Sequence, residues 1–526
     1  MSSQKNPVIS GDWSDPAFLL HDGVYYSLRS TFGWQPGLQL MKSDDLVHWE
    51  YIGFGYQGVD LGIPVGELGL GIWGSELGFN PNTGTFLIYA PVILRNDKEA
   101  SGIYVFSSAA PEGPYTNHGK LTEHIDPGFF VDSDSSLYLT NNSGNIYLLS
   151  DDGLSVEKKI GKRPYIRDYA SGEGPELFRR GDYYYYLASS GGTGPFQQHK
   201  VLSFRSSSLN GDWEADPNNP VKYAPHTTKA RIQGPGHGEV FQTKDEEWIL
   251  STHGYELNYA TLGRQASFER VEWSETGWWR PLAGKTTPEF FSVPPSSTTK
   301  LRSVSNTFEY PHLGPAWFFH TVPDYSGAAF HVDQRSNTLT VKAPSSLLST
   351  REKYQRYFFQ RVSEKAFEIS TQVTFTPESA GDMAGLILYA DTSNFVKLGL
   401  TLMDEKPAIS IVRSYRIYDY IAKRFIAEPV QSAVLGSVDV QAEDARTVEL
   451  KIKVEDPETA LFFYRVDAND DWEELALTLP LFFGRKGYPD LGWNRGHWTA
   501  TVMGLFMDHG STEVANQAEF MYFSID

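Results

Sequence analysis

The sequence contains no cysteine among its 526 residues. Disulfide scaffolds and thiolate metal sites are therefore excluded, and a chain of this length can bury a sizeable core without cross-links. Positive charge is also scarce, since 45 Lys and Arg stand against 65 Asp and Glu, a net charge of −20. A negative field of this size repels phosphate backbones and anionic headgroups, so we expect neither nucleic acid nor a membrane as a partner.

Long hydrophobic runs are missing as well. No stretch approaches about 18 consecutive apolar residues, and polar, strand-like sequence follows Met1 where a signal region would be basic and then apolar. We expect a cytoplasmic protein, or a secreted one if an export signal has been removed. Helical periodicity is scarce, whereas 32 Phe, 29 Tyr and 13 Trp accompany 47 Gly and 30 Pro. This composition is typical of many short strands and turns, so the predicted class is all-β.

Short aromatic and β-branched runs bounded by turn residues recur through the first 290 residues. One marker was taken from each run: Tyr25, Phe86, Tyr138, Tyr184 and Trp248. They are 61, 52, 46 and 64 residues apart, which is the length of a four-stranded blade with variable loops. The spacing predicts a five-bladed β-propeller over residues 1–292.

The amino-acid composition and the pattern of predicted strands change after residue 292. Residues 293–303 are rich in Pro, Ser and Thr, and residues 304–526 carry longer alternating runs such as EISTQVTFTP and AGLILYADTSNFVKLGLTL. Alternation of this kind favours a β-sandwich with one buried face on each strand. We therefore predict a linker over 293–303 and a sandwich domain over 304–526.

A polar side chain precedes each of the five markers at nearly the same distance. Asp15, Glu76, Asp126, Glu173 and His237 lie 10, 10, 12, 11 and 11 residues before their markers. Equivalent positions at the start of innermost propeller strands surround one axis, so this phase predicts an acidic pocket. The alternative is that Asp and Glu simply populate the turn before each strand, which they favour.

Several segments resemble glycoside hydrolase family 43. They include NPVISGDWSDPAF, STFGWQPG, SDDLVHWEYIG, GIWGSELGF, EGPELF and QGPGHGEVFQT, in that family's order over most of residues 6–280. The second domain, with GLFMDHG and AEFMYFSI, resembles the concanavalin-like β-sandwich of the two-domain xylosidases and arabinofuranosidases. The resemblance implies the propeller and sandwich architecture and a glycosidase activity.

The resemblance also implies roles for three carboxyl groups. Asp15 matches the general base, Glu173 the general acid, and Asp126 the carboxylate that orients the acid and raises its pKa. An inverting glycosidase needs a base and a protonated acid roughly 6.5–9.5 Å apart, so that a water molecule fits beside the sugar. A neighbouring negative charge is one way to keep the acid protonated near neutrality.

The same match extends to residues that would contact substrate. Phe32 and Trp34 match aromatic residues of the terminal-sugar subsite, where a ring packs against the C–H face of the sugar. Trp73 and Glu76 lie where many members have a Trp-Ala-Pro run, which this chain lacks. Trp34 and Trp73 are alternatively ordinary core residues.

Three further positions complete the predicted pocket. His237 matches an axial histidine that faces either the catalytic carboxylates or a water-bound cation. We therefore expect that no cofactor is required and that calcium is compatible with the site. Arg264 matches an arginine that grips substrate hydroxyls and balances the acidic cluster; its alternative is a surface ion pair. Trp498 is the residue whose position best matches the aromatic residue of the sandwich domain that closes the pocket rim in the family. Alternatively, Trp498 belongs to the core of the sandwich. His253 receives no role.

The predicted function is exo-acting hydrolysis of terminal pentosyl residues, β-D-xylosyl or α-L-arabinofuranosyl, from xylan or arabinoxylan oligosaccharides. The two-domain architecture slightly favours β-xylosidase, and a strict α-L-arabinofuranosidase is the alternative. A non-catalytic carbohydrate-binding propeller is a distant alternative, since binding alone does not need three phased acids. Association into a homo-oligomer is compatible with the sequence.

Overall fold

The structure is a computed structural model. It describes residues 3–57, 61–63, 69–95, 97–163, 172–194, 197–292, 308–309, 313–344, 356–392, 394–415, 418–419, 424–425, 430–440, 446–455, 459–480, 500–510 and 515–526. These residues form β-strands and one short 3₁₀ helix, Ala260–Leu262, which confirms the predicted all-β class. No helix in these ranges is long and apolar enough to cross a membrane.

Five antiparallel sheets follow one another along the first part of the chain. Sheet 1 consists of Ala17–His21, Val24–Leu28, Gln39–Ser43 and Glu50–Phe54. Sheet 2 consists of Glu76–Asn80, Thr85–Ile93, Gly102–Ser108 and Thr116–Thr122, with Gly71–Ile72 added beside the second of these. Sheet 3 consists of Gly128–Val131, Leu137–Thr140, Asn145–Leu149 and Val156–Lys162. Sheet 4 consists of Glu173–Arg180, Tyr183–Ser190, Lys200–Ser206, Glu214–Ala215 and Lys222–Tyr223. Sheet 5 consists of Ile232–Gln242, Trp248–Glu256, Arg264–Trp273 and Trp279–Pro281.

Each of the five sequence markers lies in the second strand of one sheet, so the predicted five-unit repeat is confirmed. The first strand of each sheet contacts the first strand of the next, and the first strand of sheet 5 contacts that of sheet 1. Ser3–Lys5 pairs with Phe290–Ser292 and joins the two ends of this region. The starts of the five first strands are thereby brought around one centre.

Aromatic packing between neighbouring sheets holds this arrangement. Phe18 of sheet 1 lies 5.6 Å from Phe241 and 5.0 Å from Phe268, both of sheet 5. Phe178 and Tyr185 of sheet 4 stack at 5.0 Å, and Trp273 of sheet 5 packs edge-on against them. These large rings bury apolar area between the sheets, which is the dominant favourable contribution to such packing.

The second part of the chain forms two stacked sheets. One has eight strands: Phe330–Val332, Leu339–Ala343, Phe367–Phe375, Thr447–Glu455, Thr459–Arg465, Glu473–Pro480, Asn516–Phe520 and Ser524–Ile525. The other has six: Tyr357–Arg361, Met383–Asp391, Asn394–Met403, Lys406–Tyr415, Val430–Asp439 and Val502–Asp508. A small hairpin joins Tyr418–Asp419 to Arg424–Phe425.

Strict alternation of buried and half-buried side chains along Phe367–Phe375 is the period expected of a strand with one face in a core. Side chains from both sheets fill that core, which supports the predicted β-sandwich. The predicted linker, 293–303, and the predicted start of the second domain at 304 lie outside the described residues.

The sandwich packs against the loops of sheet 1. The backbones of Gln35 and Phe319 exchange two hydrogen bonds of 2.7 and 2.6 Å. Arg361 donates to the Tyr51 hydroxyl at 2.9 Å and to the Asp12 carbonyl at 3.3 Å. The contact lies beside the start of the first strand of sheet 1, where Asp15 is found.

Candidate active site

A cavity of about 110 Å³ opens where the first strands of the five sheets begin. Its lining consists of Asp15, Phe32, Trp73, Gly74, Ile125, Asp126, Glu173, Thr193, His237 and Arg264. The lining therefore combines three carboxyl groups, one imidazole and one guanidinium with two aromatic rings. The predicted convergence of phased residues holds for four of the five positions.

The backbone at the strand starts is unusual in a repeated way. Asp15, Asp126 and His237 have φ of 49°, 50° and 47°, and Gly174, which follows Glu173, has φ of 52°. The left-handed conformation costs an L-residue roughly 1–2 kcal/mol. Strain of this kind persists where the surrounding structure enforces it, and it clusters at functional sites. Asp15, Asp126, His237 and Glu173 all line the cavity.

Asp15 is held as an ionised carboxylate. Oδ1 accepts from Nη1 of Arg264 at 2.5 Å, and Oδ2 accepts from Oγ of Ser30 at 2.6 Å. Burial alone would raise its pKa, but the charge of Arg264 opposes that rise, and the pKa of Asp15 lies well below its ordinary value. A buried, oriented carboxylate that stays charged is suited to accept a proton from water.

Asp126 has the opposite electrostatics. Burial raises its pKa well above the ordinary value, and the negative charges of Glu173 and Asp15 add to the rise. Oδ2 accepts from the backbone N–H of Gly174 at 3.1 Å, which ties Asp126 to the residue that follows Glu173. Of the three carboxyl groups of the cavity, Asp126 is therefore the one on which a proton is most favoured.

Glu173 differs from the prediction that its pKa is raised. Burial acts to raise it, but Nε2 of His199 lies 3.1 Å from Oε1, and the net pKa of Glu173 is below its ordinary value. Its side chain is 28% exposed to the empty cavity. The raised pKa belongs to Asp126, because its burial and the charges of Glu173 and Asp15 outweigh the bond from Gly174 and the charge of Arg264, whereas the contact with His199 stabilises the carboxylate of Glu173.

The prediction that Glu76 belongs to the pocket wall is wrong. Glu76 is buried at the first residue of its strand and is not part of the cavity lining. It lies in a deeper layer with Glu176 and Glu239. Burial raises the pKa of Glu76 to about 8 and raises the pKa of Glu176 well above its ordinary value.

The prediction that Trp34 lines the sugar subsite is also wrong. Trp34 is 1% exposed, and its ring packs against the sandwich at 5.0 Å from Phe318, 4.7 Å from His320 and 5.2 Å from Phe359. The side chain fills the domain interface because the six-stranded sheet presents an aromatic face there. Trp498 lies outside the described residues.

The other predicted contact residues lie where expected. Phe32, Trp73, His237 and Arg264 all line the cavity. Nδ1 of His237 is 3.4 Å from Oδ1 of Asp15, and burial lowers the pKa of this imidazole. Arg264 is buried, so its alternative as a surface ion pair is excluded.

Sequence reasoning missed His199 and left His253 without a role. His253 is fully buried, and its Nδ1 lies 3.3 Å from Oδ1 of Asp15. It lies within the second strand of sheet 5, and His199 directly precedes the third strand of sheet 4. Neither histidine lies just before the first strand of a sheet, so the repeated spacing could not predict that they belong to the site.

A calcium site made of protein ligands does not fit this donor set. In the part of the chain that the structure describes, no three His, Asp or Glu side chains are grouped so as to hold a metal ion. Around His237, added Cβ atoms on Gly74 and Gly174 would lie 2.8 Å from its ring atoms, so backbone packs tightly on the imidazole. Water-mediated binding of a cation at His237 stays a prediction.

Comparison with known proteins identifies the class. A family model described as glycosyl hydrolases family 43 matches residues 4–279, and one described as the beta xylosidase C-terminal concanavalin A-like domain matches residues 305–526. Carboxyl groups converging on a small cavity in such a fold define a glycoside hydrolase. The chain belongs to glycoside hydrolase family 43.

Named relatives cover most of the chain. A non-reducing end α-L-arabinofuranosidase of Bacteroides ovatus is 28% identical over 427 residues, 76% of this chain and 75% of its own. A β-xylosidase of Bacillus subtilis is 25% identical over 549 residues, 98% of each chain. The crystal structure of the GH43 protein BlXynB from Bacillus licheniformis is 25% identical with a TM-score of 0.83, covering 100% of this chain and 99% of that one.

Proposed function

We propose that the protein is an inverting exo-glycosidase that releases terminal pentosyl units, β-D-xylosyl or α-L-arabinofuranosyl, from xylan or arabinoxylan oligosaccharides. The observation that carries the proposal is the pairing in one cavity of an ionised Asp15 with a second carboxyl pair, Glu173 and Asp126, that retains a proton. Relatives named for both activities leave the two substrates open, and the full-length match to a β-xylosidase slightly favours the xyloside.

Asp15 acts as the general base. Ser30 and Arg264 fix both oxygens, so the carboxylate meets a water molecule in a set orientation and remains charged at low pH. Positioned general bases contribute roughly 10²–10⁴-fold to turnover. Arg264 also reaches the cavity, where its remaining N–H groups can donate to sugar hydroxyls.

Glu173 acts as the general acid. Before substrate binds, the proton is favoured on Asp126, and the Glu173 side chain is 28% exposed. A bound sugar covers that exposed surface, and desolvation disfavours a carboxylate. Substrate binding therefore raises the pKa of Glu173 and transfers the retained proton to the group beside the leaving oxygen.

The cavity size supports exo action. Sites for drug-sized ligands measure about 300–1,000 Å³, whereas this cavity has about 110 Å³. A space of this size suits one sugar ring at a chain end better than an extended oligosaccharide. Phe32 and Trp73 supply apolar walls for the C–H face of that ring.

Two architectural proposals accompany this function. We propose that the five sheets are the blades of a five-bladed β-propeller, supported by the contacts that run from first strand to first strand and back to sheet 1. We also propose that the sandwich forms part of the cavity wall. In support, Thr501 donates to the Thr261 carbonyl at 2.9 Å, and a Cβ on Gly263 would lie 2.9 Å from Ala500, beside Arg264.

The decisive assay uses 4-nitrophenyl β-D-xylopyranoside and α-L-arabinofuranoside with the wild type, Asp15→Asn and Glu173→Gln. Each variant is expected to lose roughly 10²–10⁴-fold in turnover. Glu173→Gln should lose much less on a 2,4-dinitrophenyl glycoside, whose leaving group hardly needs protonation. Glu123→Gln, an exposed partner of Lys120, is the matched control and should retain wild-type rates.

Proton NMR of the first-formed sugar tests the stereochemistry. Hydrolysis of a β-xyloside should release α-xylose first. Initial β-xylose would contradict inversion and would require the two carboxyl groups to lie about 5 Å apart. Tight sugar binding without turnover of either glycoside would favour the carbohydrate-binding alternative.

A further inference from the structure

Two buried histidines connect the proposed base to the proposed acid. The backbone N–H of Asp15 donates to Nδ1 of His253 at 3.0 Å. Nε2 of His253 lies 3.2 Å from Nδ1 of His199, and Nε2 of His199 lies 3.1 Å from Oε1 of Glu173. These four residues form one continuous chain of contacts behind the cavity wall.

The chain has a fixed direction. Because a backbone N–H can only donate, Nδ1 of His253 must be an acceptor, and a neutral imidazole then carries its proton on Nε2. That proton faces Nδ1 of His199, which leaves the proton of His199 on Nε2, 3.1 Å from Oε1 of Glu173 but not aligned with it as a hydrogen bond. Burial and the neighbouring Arg264 hold the pKa of His253 well below its ordinary value, which keeps this ring neutral.

The backbone is shaped around this arrangement. Both imidazoles are almost completely buried, with His253 at 0% and His199 at 1% exposure. A Cβ atom on Gly236 would lie 1.9 Å from Nδ1 of His199, so only glycine admits the ring in its observed place. The two rings stack with centroids 5.2 Å apart.

We propose that His253 and His199 form an imidazole bridge in which His199 is the positioning residue of the general acid. When substrate aligns Glu173 with the leaving oxygen, Nε2 of His199, already 3.1 Å away, donates to Oε1 of Glu173, so Oε2 is the oxygen that carries the catalytic proton to the leaving group. The backbone of Asp15 fixes the tautomer of both rings, so that the strand start that orients the base also orients the acid. This inference rests on the acid and base roles proposed above.

The bridge predicts a specific pH effect. The titratable groups around Glu173 are Asp15, Asp126, His199 and His237. Of these, the His199 contact stabilises the carboxylate most, so its removal raises the pKa of Glu173. The alkaline limb of the kcat/KM profile should then move to higher pH, while a purely structural defect would lower the whole profile.

The test compares His199→Leu, His199→Gln and the control His118→Gln, an exposed histidine bonded to Ser107. His199→Leu should lower kcat about 10- to 100-fold on a poor leaving group such as an unsubstituted phenyl glycoside, the range expected for one hydrogen bond to a charged group. Its KM should change little, and the loss should fall below about threefold on the 2,4-dinitrophenyl glycoside. His199→Gln retains an N–H donor and should recover most of the loss.

Gly236→Ala provides an independent variant, because it displaces the His199 ring without removing it and should reproduce the leaving-group pattern. Nitrogen NMR of histidine-labelled wild type adds a readout that needs no activity. Both rings should be neutral with the proton on Nε2. A proton on Nδ1 of either ring would break the chain and overturn the proposal.

The outcomes separate the two proposals. An inactive wild type on both aryl glycosides would sink the proposed function. The bridge alone would be overturned if the wild type is active and the activity of Glu173→Gln depends on the leaving group, but His199→Leu loses the same fraction of kcat on every substrate. It would also be overturned if His199→Leu has the same activity as His118→Gln.

Discussion

Replacing Glu76 by Gln is expected to stabilise the folded protein increasingly as the pH rises from 5 to 8. Burial raises the pKa of Glu76 to about 8, whereas its ordinary value is 4.5. Between these values the unfolded chain has lost a proton that the folded protein keeps. The free energy of unfolding of the wild type therefore falls as the pH rises through this window, and the loss levels off above about pH 8.

The magnitude follows from the size of the shift. Each pKa unit corresponds to 1.36 kcal/mol, so at pH 7 the loss attributable to Glu76 is about 3 kcal/mol, counted from pH 4.5. Gln has the same shape and does not titrate, and its amide oxygen can accept the hydrogen bond that Glu176 makes to Glu76. Glu176 and Glu239 remain in the variant, but Glu76 helps to raise the pKa of both, so its removal also lowers their pKa values and adds to the stabilisation at high pH.

The assay is thermal and denaturant unfolding of wild type and Glu76→Gln at pH 5, 6, 7 and 8. The stability difference should be small at pH 5 and reach about 3 kcal/mol near pH 7. Glu123→Gln, on the surface, should show no such growth. A difference that is constant or shrinks with rising pH would refute the reasoning, because it would mean that Glu76 ionises normally in the fold.

Three further outcomes are expected. Arg264→Gln removes the charge that most lowers the pKa of Asp15, so the acid limb of the kcat/KM profile should move to higher pH. An acid limb that does not move would show that Arg264 does not set the pKa of the general base. Trp34→Ala should destabilise the protein by roughly 3–5 kcal/mol, as for other buried aromatic truncations, through loss of the domain contact; unchanged melting would contradict its place in the interface. Dialysis against EDTA should leave hydrolysis within about twofold, since the described side chains form no metal-ligand cluster; restoration of lost activity by calcium would establish a water-bound ion at His237.

The sequence determined by itself the strand content, the five-unit repeat and the convergence of most of the site. Alternating apolar residues and turn signals act over a few neighbouring residues, so they can be recognised without tertiary structure. The repeated distance to the marker placed Asp15, Asp126, Glu173 and His237 at the same point of four units, and these residues line the cavity.

Tertiary structure decided what lies next to those residues. Glu76 precedes its marker at the same distance, but the fold buries it beside Glu176 and Glu239 and outside the cavity lining. Trp34 follows Phe32 by two residues, yet one ring lies against the sandwich and the other lines the cavity. A sequence pattern cannot distinguish these cases, because it records local period and not the partner across a domain contact.

The two histidines illustrate the same limit most clearly. His199 and His253 are 54 residues apart and belong to different sheets, and only the packing of sheet 4 against sheet 5 brings their rings within 3.2 Å. The tertiary structure also determines the charges of Asp15 and Glu173, since burial, Arg264 and His199 together decide which carboxyl groups ionise. The residue types came from the sequence, whereas their protonation depends on distances that only the folded chain sets.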